Sequence, residues 1–223
     1  MKLTTKIATL SLLLSSTVML NVNAENLGNL DKVSGSADIQ SHQQYADISL
    51  VNGSINMATQ SQAKEISTVN GSIRLADQVR LHSASTVNGK IVAGSGLLVA
   101  TDLAVVNGKI DLGKQAQVKG NISTVNGGIN VIDSTVGGDI TTLNGDISLK
   151  GHSVIHGNII YSKTKTSWSN WSWWPWSKQN SEKDIPTLSI DETVVINGNI
   201  ILNQAVNLNI TSPVLRAKVI DKT

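Results

Sequence analysis

Cysteine and phenylalanine are absent from the chain, proline occurs only three times and tyrosine twice, and the five tryptophans are confined to one short stretch. Without cysteine there are no disulfide staples, no thiolate metal ligands and no cysteine nucleophile. Without phenylalanine, a core has to be built from Ile, Val, Leu and Ala. An excess of charge is missing as well. Lys2 and Lys6, two of the 18 basic residues, lie in an N-terminal leader, which leaves 16 basic residues against 16 acidic ones and a net charge of zero. A nucleic-acid-binding surface is therefore not expected, because neutralising a polyphosphate needs clustered Lys and Arg.

The leader, residues 1–24, has Lys2 and Lys6 as a basic start, an apolar centre from Ile7 to Leu20, and Val22-Asn23-Ala24 as a small-residue cleavage site. That apolar run is shorter than the roughly 20 residues a membrane-spanning helix needs. The expectation is a signal peptide cleaved after Ala24, with residues 25–223 exported as one domain to the periplasm or the cell exterior.

What the chain has in abundance is a repeat. Val-Asn-Gly or a close variant ends at Gly53, Gly71, Gly89, Gly108, Gly127, Gly145 and Gly198, with Val33-Ser34-Gly35 as an earlier degenerate copy. The first six full copies recur every 18 or 19 residues. Two residues after each Gly comes an apolar residue, in Ile55, Ile73, Ile91, Ile110, Ile129, Ile147 and Ile200, and two further on comes another, from Met57 to Leu202. Two residues before each Gly the apolar pattern returns as Val51, Val69, Val87, Val106, Val125, Leu143 and Ile196.

Alternation of apolar and polar residues marks strands with one buried face. A two-residue Asn-Gly turn also suits a β-hairpin, but a hairpin does not explain why the same columns return every 18 or 19 residues. A coil of that length, holding about three short strands, stacks each column on its own copy. The repeat therefore predicts an all-β fold, a single-stranded parallel β-helix of about nine rungs and roughly 40 Å length. Coils of 19 interleaved with coils of 18 break a strict hexapeptide rule and favour the right-handed form. The Asn-Gly pairs are read as turn chemistry, with Gly entering the left-handed region. Asn52, Asn70, Asn88, Asn107, Asn126 and Asn144 are expected to stack as a structural amide ladder.

Ser67-Thr-Val-Asn-Gly-Ser-Ile73, Ser85-Thr-Val-Asn-Gly-Lys-Ile91 and Ser123-Thr-Val-Asn-Gly-Gly-Ile129 resemble the repeats of bacterial adhesin-type β-solenoid domains, known as head GIN domains or domains of unknown function. The resemblance covers residues 33–161 and 187–210. In coil length the chain is also similar to the bactofilins, polymer-forming proteins with a triangular β-helix, although those are not exported. Both likenesses concern repeat grammar, and neither implies catalytic residues.

One segment breaks the grammar. Residues 162–184 interrupt the repeat with Trp168, Trp171, Trp173, Trp174 and Trp176, flanked by Lys163, Lys165 and Lys178. Counting rungs places this insertion at the Asn-Gly corner. Pro175 opposes a continuous helix, and a core already filled with aliphatic side chains has little room for indoles. Three roles are open: a cover for an exposed flank of the solenoid, a contact with a membrane surface, or glycan stacking.

No chemistry competes with this. His42, His82, His152 and His156 do not converge as a zinc site requires, so no metal or cofactor is expected. Asp111, Asp133, Asp139 and Asp146 fall at different places in the coil. Asp139 and Asp146 can approach one another, but no basic partner accompanies them, and an enzyme is not expected. The sequence thus points to an exported envelope protein whose rod presents the Trp-rich loop to a membrane surface, an envelope glycan or another protein. The alternative is a self-associating filament or matrix subunit, with a carbohydrate-active enzyme behind it. Residues 26–32 and 213–223 are candidate caps, and Arg216, Lys218, Asp221 and Lys222 in the latter discourage stacking.

Overall fold

The computed structural model describes residues 26–163 and 185–223. Its strands are short and every pairing is parallel, so that each coil lies directly on the one before. The fold is a parallel β-solenoid of about ten turns, with a single helical turn, Pro213–Arg216, among the described residues.

Three faces enclose an interior built mainly of aliphatic side chains. Face A is a nine-stranded sheet that starts with Ala37–Ile39 and Ile55–Met57. Its pairs run from Ile55 through Ile73, Ile91, Ile110, Ile129 and Ile147, and all six side chains are fully buried. The column then continues to Leu188 and Leu208. Face B carries inward Ala63, Leu81, Val99, Val118, Val136, Ile155 and Ile196. Face C carries inward Ile48, Ile66, Ala84, Leu103, Ile122, Ile140, Ile159 and Ile200.

The mixture of 18- and 19-residue coils has a local cause. In the early coils one nine-residue strand, such as Arg80–Asn88, bends continuously from face B into face C. One coil later Leu81 faces Val99 but Ala84 faces Leu103, so an extra residue enters that corner and splits the strand. Further along, Leu112 faces Val131 while Gln117 faces Thr135, and one residue is lost at the corner between faces A and B.

Two columns differ from the sequence expectation. Val51, Val69, Val87, Val106 and Val125 point outward and are 37% to 43% exposed. The reason is parity: inward Leu50 and inward Ile55 lie five residues apart, so turning the Asn-Gly corner shifts the alternation by one. The inward place beside each valine goes instead to Leu50, Thr68, Thr86, Val105 or Thr124, and beside Leu143 to Thr142. The buried hydroxyls find carbonyls at the corner, Thr68 Oγ1 donating to Gly53 O and Thr86 Oγ1 to Gly71 O, each at 2.9 Å.

The second departure concerns the last copy of the tripeptide. Ile196 pairs with Ile155 and Ile200 with Ile159, so Ile196, Gly198 and Ile200 belong to faces B and C and the corner between them, not to the Asn-Gly column. Gly198 stacks on Gly157, Gly157 on Gly138 and Gly138 on Gly120.

The ends are not alike. Residues 26–32 do not cap the rod but begin its first coil, with Asn26–Leu27 pairing onto Gln44–Tyr45 and Leu30–Ser34 onto Ile48–Asn52. Lys32 stands in the inward column opposite Leu50 and donates from Nζ to Ser36 O at 3.0 Å. At the other end the turn Pro213–Arg216 buries Leu215, Arg216 Nε donates to Ile210 O at 2.7 Å, and Lys218 Nζ donates to Ile196 O. Charged donors on terminal carbonyls oppose edge-to-edge pairing.

Candidate functional site

The Asn-Gly corner is where the rod opens to admit its insertion. Side-chain amides run along it without a gap: Asn70 Nδ2 donates to Asn52 Oδ1 at 2.9 Å, Asn88 to Asn70 at 2.8 Å, Asn107 to Asn88 at 2.9 Å, Asn126 to Asn107 at 2.9 Å and Asn144 to Asn126 at 3.1 Å. These amides are exposed, and each satisfies one donor and one acceptor of its neighbours. The glycines beside them are needed for close approach, and at Gly108 (φ 142°) and Gly127 (φ 154°) for a positive φ as well. A Cβ added to Gly71 or Gly89 would overlap the carbonyl oxygen of Gly53 or Gly71, one coil below. Outside the ladder runs the valine ridge, from Val51 to Val125, followed by half-buried Leu143.

The next position of that ridge is Ser162, because Tyr161 pairs with Thr142. There the chain leaves the solenoid, and Leu188 returns to face A opposite Ile147. Both ends are tied down. Tyr161 is fully buried, and its Oη donates to Thr187 O at 3.1 Å. Thr187 N donates to Asp146 Oδ1 at 2.7 Å, and Asn207 N donates to Pro186 O at 2.8 Å. Gln204, one coil further, reaches back across the departure point and donates to Leu143 O. Burial raises the Tyr161 hydroxyl pKa above its ordinary value, and the nearby Asp146 charge acts in the same direction.

Of the residues singled out in the insertion, Lys163 is exposed at its base. Trp168, Trp171, Trp173, Trp174, Trp176, Lys165 and Lys178 lie outside the described residues, as does the leader.

The remaining polar residues are spread over the other two corners. Asp139 and Asp146 do not approach one another, since the first stands at the corner between faces B and C and the second at the Asn-Gly corner, with strand Ile140–Asn144 between them. Asp139 belongs to a second ladder, in which each side-chain oxygen accepts the backbone N–H one coil on. Asn121 N donates to Asp102 Oδ1 at 2.6 Å, Asp139 N to Asn121 at 2.8 Å, Asn158 N to Asp139 at 2.7 Å and Asn199 N to Asn158 at 2.9 Å. The sequence carries a signal for it in Gly120-Asn121-Ile122, Gly138-Asp139-Ile140, Gly157-Asn158-Ile159 and Gly198-Asn199-Ile200.

Asp133, at the corner between faces A and B, accepts from His152 N at 2.9 Å and stands 3.7 Å from Lys114 Nζ. The His152 backbone N–H is the main reason its carboxyl pKa is lowered below 3.8, with Lys114 adding to it. Asp111 pairs with Lys109 at 2.8 Å on the outer side of face A. All four histidines are exposed, and His156 Nδ1 lies 2.9 Å from Asn197 Nδ2.

No family model, curated protein or solved structure matches the chain. The reading of its function therefore stands on the solenoid and its insertion alone.

Proposed function

We propose that this chain is an exported bacterial envelope protein that acts by binding rather than by catalysis, a rigid solenoid that presents its Trp-rich segment to a membrane or glycan surface. The observation that carries this reading is the clamped departure point. Tyr161, Thr187, Asp146 and Asn207 join the two ends of the insertion, so the solenoid closes its hydrogen bonds beneath it. The ladder itself runs up to the base of the insertion, where Ser162 N donates to Thr142 O at 2.9 Å. The five indoles and four lysines of residues 162–184, against Glu182 and Asp184, are suited to an interface that is apolar on one side and wet or anionic on the other. The acidic side chains support binding over catalysis, since Asp102, Asp133, Asp139 and Asp146 serve as acceptors for backbone N–H groups and are spread over the three corners.

Every tryptophan of the chain lies in this segment, so indole fluorescence reports on it alone. Anionic phospholipid vesicles or envelope polysaccharide should shift the emission to the blue. Replacing residues 162–184 with an Asn-Gly turn should abolish binding while leaving the circular dichroism unchanged. A replacement that unfolds the rod would show that the indoles belong to its cover, and the reading would fail.

A further inference from the structure

The corner between faces A and B, a different corner from the one at which the insertion departs, holds a second surface. In seven successive coils one residue there has a positive φ: His42 (65°), Gln60 (62°), Gln78 (59°), Gly96 (71°), Gln115 (59°), Asp133 (46°) and Gly151 (61°). This region is unfavourable for any residue with a Cβ, and least so for Asn, Asp and His. Glutamine has no such allowance. Gly96 and Gly151 occupy the same column, so the turn itself accepts glycine, and three coils nevertheless keep a strained glutamine. Backbone strain retained where a simpler residue fits is a pointer to a role for the side chain.

The side chains of Gln60, Gln78 and Gln115 enter a groove of about 730 Å³, whose wall is completed by Gln62, Arg80 and Gln117. No carboxylate lines it. Gln60 Nε2 donates to Gln78 Oε1 at 2.7 Å, which orients that pair. Among the described residues, the side-chain amides of Gln62, Gln115 and Gln117 make no hydrogen bond. Leu98 gives the groove a partly exposed apolar patch. Side-chain amides thus stand on three of four successive coils, at multiples of the interstrand spacing, ~4.8 Å, with a gap at the coil of Gly96 and Leu98; that spacing is close to the repeat of an extended pyranose chain.

We propose that this glutamine-lined groove binds a linear, hydroxyl-rich polysaccharide lying along the rod axis, with the strained Gln60, Gln78 and Gln115 reading its hydroxyl groups and Arg80 favouring acidic sugars. The test is affinity electrophoresis of the protein in native gels cast with alginate or with hydroxyethyl cellulose, beside the triple variant Gln60→Gly, Gln78→Gly, Gln115→Gly. The protein should be retarded by at least one polymer, more strongly by alginate, and the variant should bind at least tenfold more weakly with a melting temperature equal or higher. Retardation by neither polymer, or retardation unchanged in the variant, would overturn the proposal. So would a lower melting temperature, which would make the glutamines structural braces. If the triple variant does not fold, Gln62→Ala with Gln117→Ala, at ordinary strand positions, has to weaken binding to the same polymer. The variant lacking residues 162–184 should still be retarded, which separates this groove from the tryptophan segment.

Discussion

Tyr161 and Thr187 stand on opposite sides of the insertion, yet the Tyr161 hydroxyl donates to the Thr187 carbonyl at 3.1 Å. The only fully buried aromatic side chain among the described residues thereby ties the point where the chain leaves the rod to the point where it returns. Tyr161→Phe keeps the ring and leaves the Thr187 carbonyl short of a partner, so it should destabilise the rod by about 1 kcal/mol in chemical denaturation. A change of several kcal/mol would mean that the clamp holds more than its own hydrogen bond.

The same hydroxyl gives stability a pH dependence. Its pKa is raised on folding, so its contribution is complete below the ordinary tyrosine value of about 10 and is lost as pH rises beyond it, where the unfolded chain ionises first. Wild-type stability should fall between pH 10 and pH 11, by up to about 1.4 kcal/mol per pH unit from this group, and Tyr161→Phe should remove that part of the slope.

Asp133 acts at the other end of the scale. Its lowered pKa contributes stability above the ordinary carboxylate range that is lost as pH falls through the folded value. A carboxyl titration followed by NMR should place its midpoint below 3.8, and Lys114→Ala should raise that midpoint without restoring it fully, because the His152 N–H remains.

Close approach at the Asn-Gly corner is testable with one methyl group. A Cβ at Gly89 would meet the Gly71 carbonyl, whereas a Cβ at Gly28 has nothing within 4 Å. Gly89→Ala should lower stability by about 1–3 kcal/mol or more, and Gly28→Ala should change it by less than about 0.5 kcal/mol.

In the interior, Ile110 is fully buried between Ile91 and Ile129. Ile110→Ala should cost about 2–5 kcal/mol. Ile110→Asp should prevent folding, seen as loss of the β circular dichroism signal, because no partner for the charge exists in that column.

The sequence by itself determined the coil, its length, the Ile column from Ile55 to Ile147 and the corner at which the insertion stands. A period of 18 or 19 with apolar alternation has one economical solution, in which each residue lies on its own copy. Only the tertiary structure decided which apolar residues face inward. A corner can consume an odd or an even number of residues, and the Asn-Gly corner flips the parity, turning Val69 outward and Thr68 inward. The tripeptide ending at Gly198 could not be assigned from its letters, because the insertion shifts the count between coils and pairing alone reveals that Ile196 lies on Ile155. The glutamine groove was hidden for a similar reason. Nothing in the letters of Gln60, Gln78 or Gln115 announces a positive φ, which is imposed on them by the stacked turns above and below.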